Sequence, residues 1–421
     1  MREYFLKTKV CIVGSGFCGY AAYKKLKSKN IDLIIVEGGK EETPISINQQ
    51  NYYKVITNKF LNFGGRLNIE NKLEPSFRDR KFSLGGSSEC WSGWIKPFEE
   101  STYKNYFVGN RNQSWGDLSL NSFEKEVLNL LNSPIDNFDI KELTSKLNLI
   151  LPELREGLDF SLYAWAKEPL KLKKYWIDKI NKKLDFTENI KNKDLVLGYK
   201  LYEFSKINDE IKSLKFINES NNIKLDIEAN YFILCMGGIE NAKFVHKIIN
   251  DLGLKSSFSR YIGNFQEHPH LYNIASFHKG ENTLPDILTR KIKTSNKLHN
   301  SFRDGAIKLA ISAWDGAGTP KVTFSISENP QKNYKNRFKT IIRDQLGKSL
   351  VSNLDYLITM RCEQTRHELS SLKFNSNSTY LNWEVNDSDF KYYSDYLRRL
   401  GSFLISNKFA KNFTLTYPSI T

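Results

Sequence analysis

The chain opens with KVCIVGSGFCGYAAYKKLKSKNIDLIIVEGGKE, Lys9 to Glu41, and few folds accommodate such a segment. Val10 to Val13 is a continuous apolar run, the form of a parallel strand covered on both faces. Gly14-Ser15-Gly16-Phe17-Cys18-Gly19 then fits G-x-G-x-x-G between a strand and a helix, the context that gives this motif meaning. Gly14 suits a tight turn, Gly16 lets a pyrophosphate approach the main chain, and Gly19 lets the helix lie close to the strand. Gly19, Ala22, Tyr23 and Leu26 share one helical face, predicted to lie on the sheet, while Lys24, Lys25 and Lys27 stay solvated. The free amides at the helix start then face phosphate.

Asp32 to Val36 reads as the second strand, with Glu37 at its end. A carboxylate at this spacing accepts hydrogen bonds from ribose hydroxyls and repels a 2′-phosphate. The reading is a dinucleotide site with NADP disfavoured; the motif alone does not separate NAD from FAD.

With 421 residues, 40% of them hydrophobic, the chain can bury large cores, and its length suggests two or three domains. No apolar run approaches the ~20 residues of a membrane span. The residues before the first strand, Met1 to Leu6, are too few for a secretion signal, so a cytoplasmic location is the default expectation. Five cysteines show no paired spacing, which argues against a disulfide framework or a metal site. The net charge of +15 comes from lysine spread along the whole chain, without a compact basic-aromatic module. No nucleic-acid partner is therefore expected, and an acidic substrate stays open.

Along the chain, residues 62–98 are glycine-rich and irregular, and Leu118 to Leu131 reads as a helix. Leu195 to Ile217 reads as short strands, and IKLDIEANYFILCMGGIENAKFVHKIIN as a strand followed by a helix. From Gln266 to Trp383 short strands dominate, interrupted by a helical stretch at Asn333 to Leu346. Asp387 to Lys408 is a further helix. The expected fold class is α/β: a discontinuous Rossmann-like nucleotide domain with a second, α+β domain built on a mainly antiparallel sheet. The boundaries are 1–100 with 185–265 for the nucleotide domain, 101–184 for a helical insertion, and 266–421 for the substrate domain.

Four further segments stand in a telling order. FSLGGSSECWSGW carries Gly85-Gly86, Ser87-Ser88, Trp91 and Gly93. SWGDLS carries Trp115, FILCMGGIENAKF carries Gly237-Gly238, and RYIGNFQEHPHLY carries His268-Pro269-His270. Together with the opening motif they resemble the glucose–methanol–choline family of FAD-dependent oxidoreductases, and its sugar and polyol dehydrogenase branch in particular.

The resemblance implies FAD as cofactor, held by Gly14, Ser15, Gly16, Gly19 and Glu37. It places Gly85, Gly86, Ser87 and Ser88 against the flavin, Val196 near the adenine and Gly237 beneath the pyrophosphate. It also implies oxidation of a CH–OH group of a sugar, polyol or alcohol by hydride transfer to flavin. In the family, a histidine in a C-terminal segment takes the hydroxyl proton, beside a second histidine or asparagine. This chain ends SNKFAKNFTLTYPSIT, without those positions. The substitutes among its six histidines are His268, His270 and His367. The expectation thus has three forms: an enzyme with a base from one of these positions, one subunit of a split flavoenzyme completed by another polypeptide, or a non-catalytic flavin-binding relative.

Overall fold

The computed structural model describes residues 2–41, 54–57, 74–75, 81–96, 120–155, 157–168, 170–180, 194–254, 265–294, 302–316, 318–329, 354–375 and 378–415. Strand β1 (Arg2–Val13), helix α1 (Phe17–Lys27) and strand β2 (Leu33–Glu37) form the opening β-α-β unit. Strands β3 (Lys54–Thr57) and β4 (Glu74–Pro75) precede a 3-10 turn over Gly86–Glu89 and strand β5 (Trp94–Ile95). The middle holds α2 (Leu120–Leu130), α3 (Ile140–Lys146), β6 (Leu158–Ala166) and α4 (Leu172–Ile180). Then come β7 (Leu195–Leu197), β8 (Lys200–Ile207), β9 (Glu210–Asn218), β10 (Ile223–Leu234) and α5 (Gly237–Asp251). The chain continues through β11 (His270–Lys279), α6 (Asp286–Thr289), β12 (Ile292–Thr294), β13 (Gly305–Ala313) and β14 (Val322–Glu328). It closes with β15 (Tyr356–Cys362), β16 (Ser371–Asn375), β17 (Ser378–Trp383), α7 (Asp387–Ser406) and β18 (Ala410–Leu415).

The first sheet runs β7-β2-β1-β10-β9-β8. β1 pairs in parallel with β2 through Val10–Val13 and with β10 from Arg2 to Val13, so residues 10–13 lie between two strands and residues 2–7 between β10 and an open side among the described residues. That explains why the apolar run marked only the second half of β1: the first half alternates between exposed and half-buried, and the strand extends further toward the N-terminus than the run does. One face packs Val10, Ile12, Leu33 and Ile35 against Tyr20 of α1 and Trp176 of α4. The other packs Cys11, Val13 and Val36 against Phe244 of α5. Fully burying one such large side chain stabilises the fold by about 1.5–3 kcal/mol.

The second sheet runs β18-β11-β15-β14-β13-β6-β5 with β12 on β13, and its pairs are antiparallel. Its strand β6 comes from the stretch expected to be helical, 101–184, which also supplies the helices α2, α3 and α4. The period-two pattern in LDFSLYAWA was the signal passed over. Helix α7 lays Tyr393, Tyr396, Leu397, Leu400 and Leu404 into the apolar core of this sheet. A small third sheet, β16-β17-β3-β4, joins the early part of the chain to the late part through the parallel pair β17–β3. The fold is mixed α/β with antiparallel sheets, the class expected from the sequence. The helical stretch expected at Asn333 to Leu346, and Trp115, lie outside the described residues. Among the described residues no helix is long and apolar enough to cross a membrane.

Candidate functional site

The glycine turn is pinned from both sides. Gly14 takes φ +105° and its amide donates to the Val36 carbonyl at 2.8 Å, while the Cys235 amide donates to the Val13 carbonyl at 2.7 Å. A methyl on Gly14 would collide with the Cys235 carbonyl, and one on Gly19 with the carbonyl of Gly14. These two glycines let β1, α1 and β10 meet at one point. Gly16 differs: a methyl there would meet nothing nearer than the Gly85 carbonyl oxygen at 3.9 Å. At Gly237 and Gly238, the first residues of α5, a methyl would have no atom within 4 Å. Among the described residues, then, Gly16 is uncrowded and the start of α5 at Gly237 and Gly238 borders open space.

Ser15 sits under that space, fully buried. Its amide and hydroxyl both donate to Glu37 Oε2, at 2.9 and 2.7 Å, and its hydroxyl accepts from the Gly85 amide at 2.9 Å. The other carboxylate oxygen of Glu37, Oε1, accepts from the Gly39 amide at 2.8 Å. Burial pushes the Glu37 carboxyl above its ordinary range, and the hydrogen bonds from Gly39, Ser15 and Gly38 pull against that shift. Trp176 closes the underside, its Nε1 donating to the Ser15 carbonyl at 2.9 Å and its ring edge-on to Tyr20 and Tyr23.

Gly85 and Gly86 take φ +85° and +54°, and Gly86 lies against Gly16, so the second glycine pair packs directly on the first turn. Ser88 is buried and its hydroxyl donates to the Gly85 carbonyl at 2.7 Å and accepts from the Leu172 amide at 3.2 Å. It stitches the 3-10 turn to α4. Ser87 is half-buried, and Cys90 turns back to its carbonyl. Lys171 reinforces the same turn, its ammonium shared among the carbonyls of Ser88, Glu89 and Trp91. Val196 is buried in β7 directly beside Val36 of β2, one step from Glu37.

The three histidines fall in two places. His268 and His270 stand with ring centroids 4.7 Å apart, at the start of β11. His268 Nδ1 lies against the Glu267 carboxylate, and His270 Nδ1 is 3.2 Å from the Tyr272 hydroxyl. His367 stands in the loop after β15, where its Nδ1 accepts from the Leu369 amide at 3.2 Å. Gln364 ties this loop to the first pair, accepting from the Glu267 amide at 3.2 Å.

Ser15, Gly16, Glu37, Gly85 and Gly86 are thus brought into one contact network, with Gly14 and Gly19 as its backbone and Val196 and Gly237 at its margins. Trp176 and Lys171 join this network from outside the motifs. Only the helical spacing of KLKKYWIDKI hinted that Trp176 faces inward, and nothing local marked Lys171.

The fold is similar to that of pyridoxine 4-oxidase from Mesorbium loti, with a TM-score of 0.54 at 12% identity over 98% of this chain and 83% of that one. Adenylylsulfate reductase from the hyperthermophilic Archaeoglobus fulgidus matches with a TM-score of 0.24 at 13% identity over 56% of this chain and 31% of the other, which carries no argument. No protein-family model matches the sequence, and no curated protein matches it.

Proposed function

We propose that this chain is an FAD-dependent oxidoreductase of the glucose–methanol–choline type, acting on a CH–OH group of a small hydroxylated molecule. The observation that carries the reading is the contact of the two glycine segments: Gly85 donates to Ser15, Ser15 to Glu37, Gly16 has room for a methyl without a clash, and no described atom lies within 4 Å of a methyl on Gly237 or Gly238. A dinucleotide needs such a cradle, because its pyrophosphate must reach main-chain amides that a side chain would screen. The fold shared with pyridoxine 4-oxidase supports the same reading. Residues 1–100 and 185–265 act as one nucleotide unit in this reading, since β1 and β10 pair along their length.

Bound there, FAD would supply the hydride acceptor. Gly14, Ser15, Gly16 and Gly19 with Gly237 would hold its pyrophosphate, Glu37 and Val196 its adenosine end, and Gly85 to Ser88 its ring. Ser15, Ser88 and Glu37 serve this through the backbone they hold in place, because the serine hydroxyls and both carboxylate oxygens are already bonded within the protein. The base that takes the substrate's hydroxyl proton comes from His268, His270 or His367. His268 has the arrangement a base needs: Glu267 beside Nδ1 keeps the proton there, so Nε2 carries the lone pair in the neutral ring.

The test is anaerobic mixing of the purified protein with a panel of sugars, polyols and aromatic alcohols while flavin absorbance is followed. Bleaching by at least one of them is expected. A flavin that none of them reduces, yet dithionite does, would contradict the assigned reaction.

A further inference from the structure

Residues opposite each other in an antiparallel pair share a face of the sheet. By that rule the second sheet has one apolar face and one polar face. Ile307, Leu309, Ile311, Phe324, Ile358 and Met360 point into the core. On the other face Trp94 stands opposite Trp165, and Tyr163 opposite Lys308. Ser312, on the same face as Lys308, stands opposite Thr323, and Thr323 stands opposite Arg361.

Lys308 occupies a fork. β13 pairs with β14 through Ile311–Ala313 and with β12 through Gly305–Ile307, and Lys308 lies between the two. Its ammonium donates to the Ile326 carbonyl at 2.7 Å. Arg361 reaches the neighbouring Ser325 hydroxyl at 2.8 Å. Lys291, just before β12, places its ammonium 3.9 Å from the ring centre of Trp165 and 4.7 Å from that of Trp94. Burial, with Arg361 and then Lys291 as like-charged neighbours, pushes the Lys308 ammonium down to about 8. None of the three cations forms an ion pair with any described residue. These three positive groups, with Lys96 over the Tyr163 ring beside them, thus share a partly desolvated face with aromatic rings along one edge, and Asp159, the carboxylate opposite Ser312 on that face, pairs with none of the three, a combination that favours an incoming anion.

We propose that this face receives an organic oxyanion, a carboxylate or phosphate ester on a planar body. The anion is held by Lys308, Arg361 and Lys291, and the body lies along the edge formed by Tyr163 and Trp94. The inference that this anion is the substrate rests on the oxidoreductase reading. The link between them is structural: Trp94 belongs to the segment whose Gly85 amide binds Ser15 at the glycine turn, and Trp165 Nε1 donates to the carbonyl of Ser92 in that segment. The substrate class is then a hydroxylated aromatic or heteroaromatic acid or phosphate ester rather than a neutral sugar.

Calorimetric titration with benzoate and phenyl phosphate tests this, with benzamide as the neutral partner and flavin content read from the absorbance of the same samples. Charge-assisted hydrogen bonds of this kind are worth about tenfold or more in affinity. Both anions should therefore bind at least about tenfold tighter than benzamide, and Arg361→Gln and Lys291→Met should each remove most of that preference while circular dichroism stays unchanged. Equal affinity for anion and amide, or a preference that survives both substitutions, would overturn the proposal. A preparation that holds flavin but shows no anion preference refutes only the anion face. One that shows the preference without flavin supports the face and refutes the oxidoreductase reading.

Discussion

Ser15 gives both its amide and its hydroxyl to a single oxygen of Glu37, at 2.9 and 2.7 Å. The acid that ends the second strand, expected to accept from ribose hydroxyls, is thereby anchored on the turn, its other oxygen taken by the Gly39 amide. The Ser15 hydroxyl also accepts from Gly85, so one side chain joins the two glycine segments.

Ser15→Ala should therefore act on both. It leaves the buried Gly85 amide without its acceptor and removes one donor from Glu37. Each buried group left unsatisfied costs about 1–3 kcal/mol. Thermal unfolding should show a clearly lower midpoint, and flavin affinity should fall with it. A midpoint within a degree of wild type would mean the network contributes nothing.

Glu37 also sets a pH dependence. Its folded-state carboxyl is raised above the ordinary 4.5, burial outweighing its hydrogen bonds. Between those two values the folded protein binds more protons than the unfolded chain, so this group's contribution to stability declines as pH rises through that window. Above the folded-state value the penalty of a buried charge is constant. Urea titrations at several pH values should show this decline in wild type and not in Glu37→Gln. An identical slope in the two proteins would assign the effect elsewhere.

The two structural glycines should respond differently from the open one. Gly19→Ala drives a methyl into the Gly14 carbonyl, whereas Gly16→Ala meets nothing closer than 3.9 Å. The first should lower stability by about 1–3 kcal/mol, as overpacking does. The second should fold like wild type in circular dichroism and thermal melts. Equal destabilisation by both would show that Gly16 has no room for a methyl beside Gly85.

If one of the three histidines is the base, its alanine variant should slow flavin reduction by about 10²–10⁴-fold, the usual worth of general-base catalysis. Stopped-flow reduction of His268→Ala, His270→Ala and His367→Ala, compared at equal flavin content, separates them. Unchanged rates in all three would place the base elsewhere.

The opening unit was legible because its motif fixes backbone geometry within a few residues: strand, turn and helix follow from where glycines and apolar side chains fall. The first half of β1 was not, since its residues alternate and only pairing with β10 makes them a strand. Strand β6 was hidden among helices for a similar reason: nine residues of alternating pattern gain their meaning from β13. The serines of the second glycine segment show a different limit. The family resemblance implied Ser88 beside a flavin, but whether its hydroxyl faces outward or back to Gly85 depends on α4, which arrives from a distant part of the chain. The cationic face was illegible throughout, because Lys291, Lys308 and Arg361 meet only once strand order and register are set.

Nucleotide binding at the turn around Gly16 is decided by one comparison: the visible absorption spectrum of the protein purified without added cofactor, wild type beside Gly16→Leu. Wild type should carry the two bands of oxidised flavin and release FAD on denaturation. Gly16→Leu, with a side chain filling the space where a pyrophosphate would lie against the main chain, should be colourless yet fold with unchanged circular dichroism. A colourless wild type that also fails to take up added FAD, or a Gly16→Leu variant that keeps its full flavin, would contradict it.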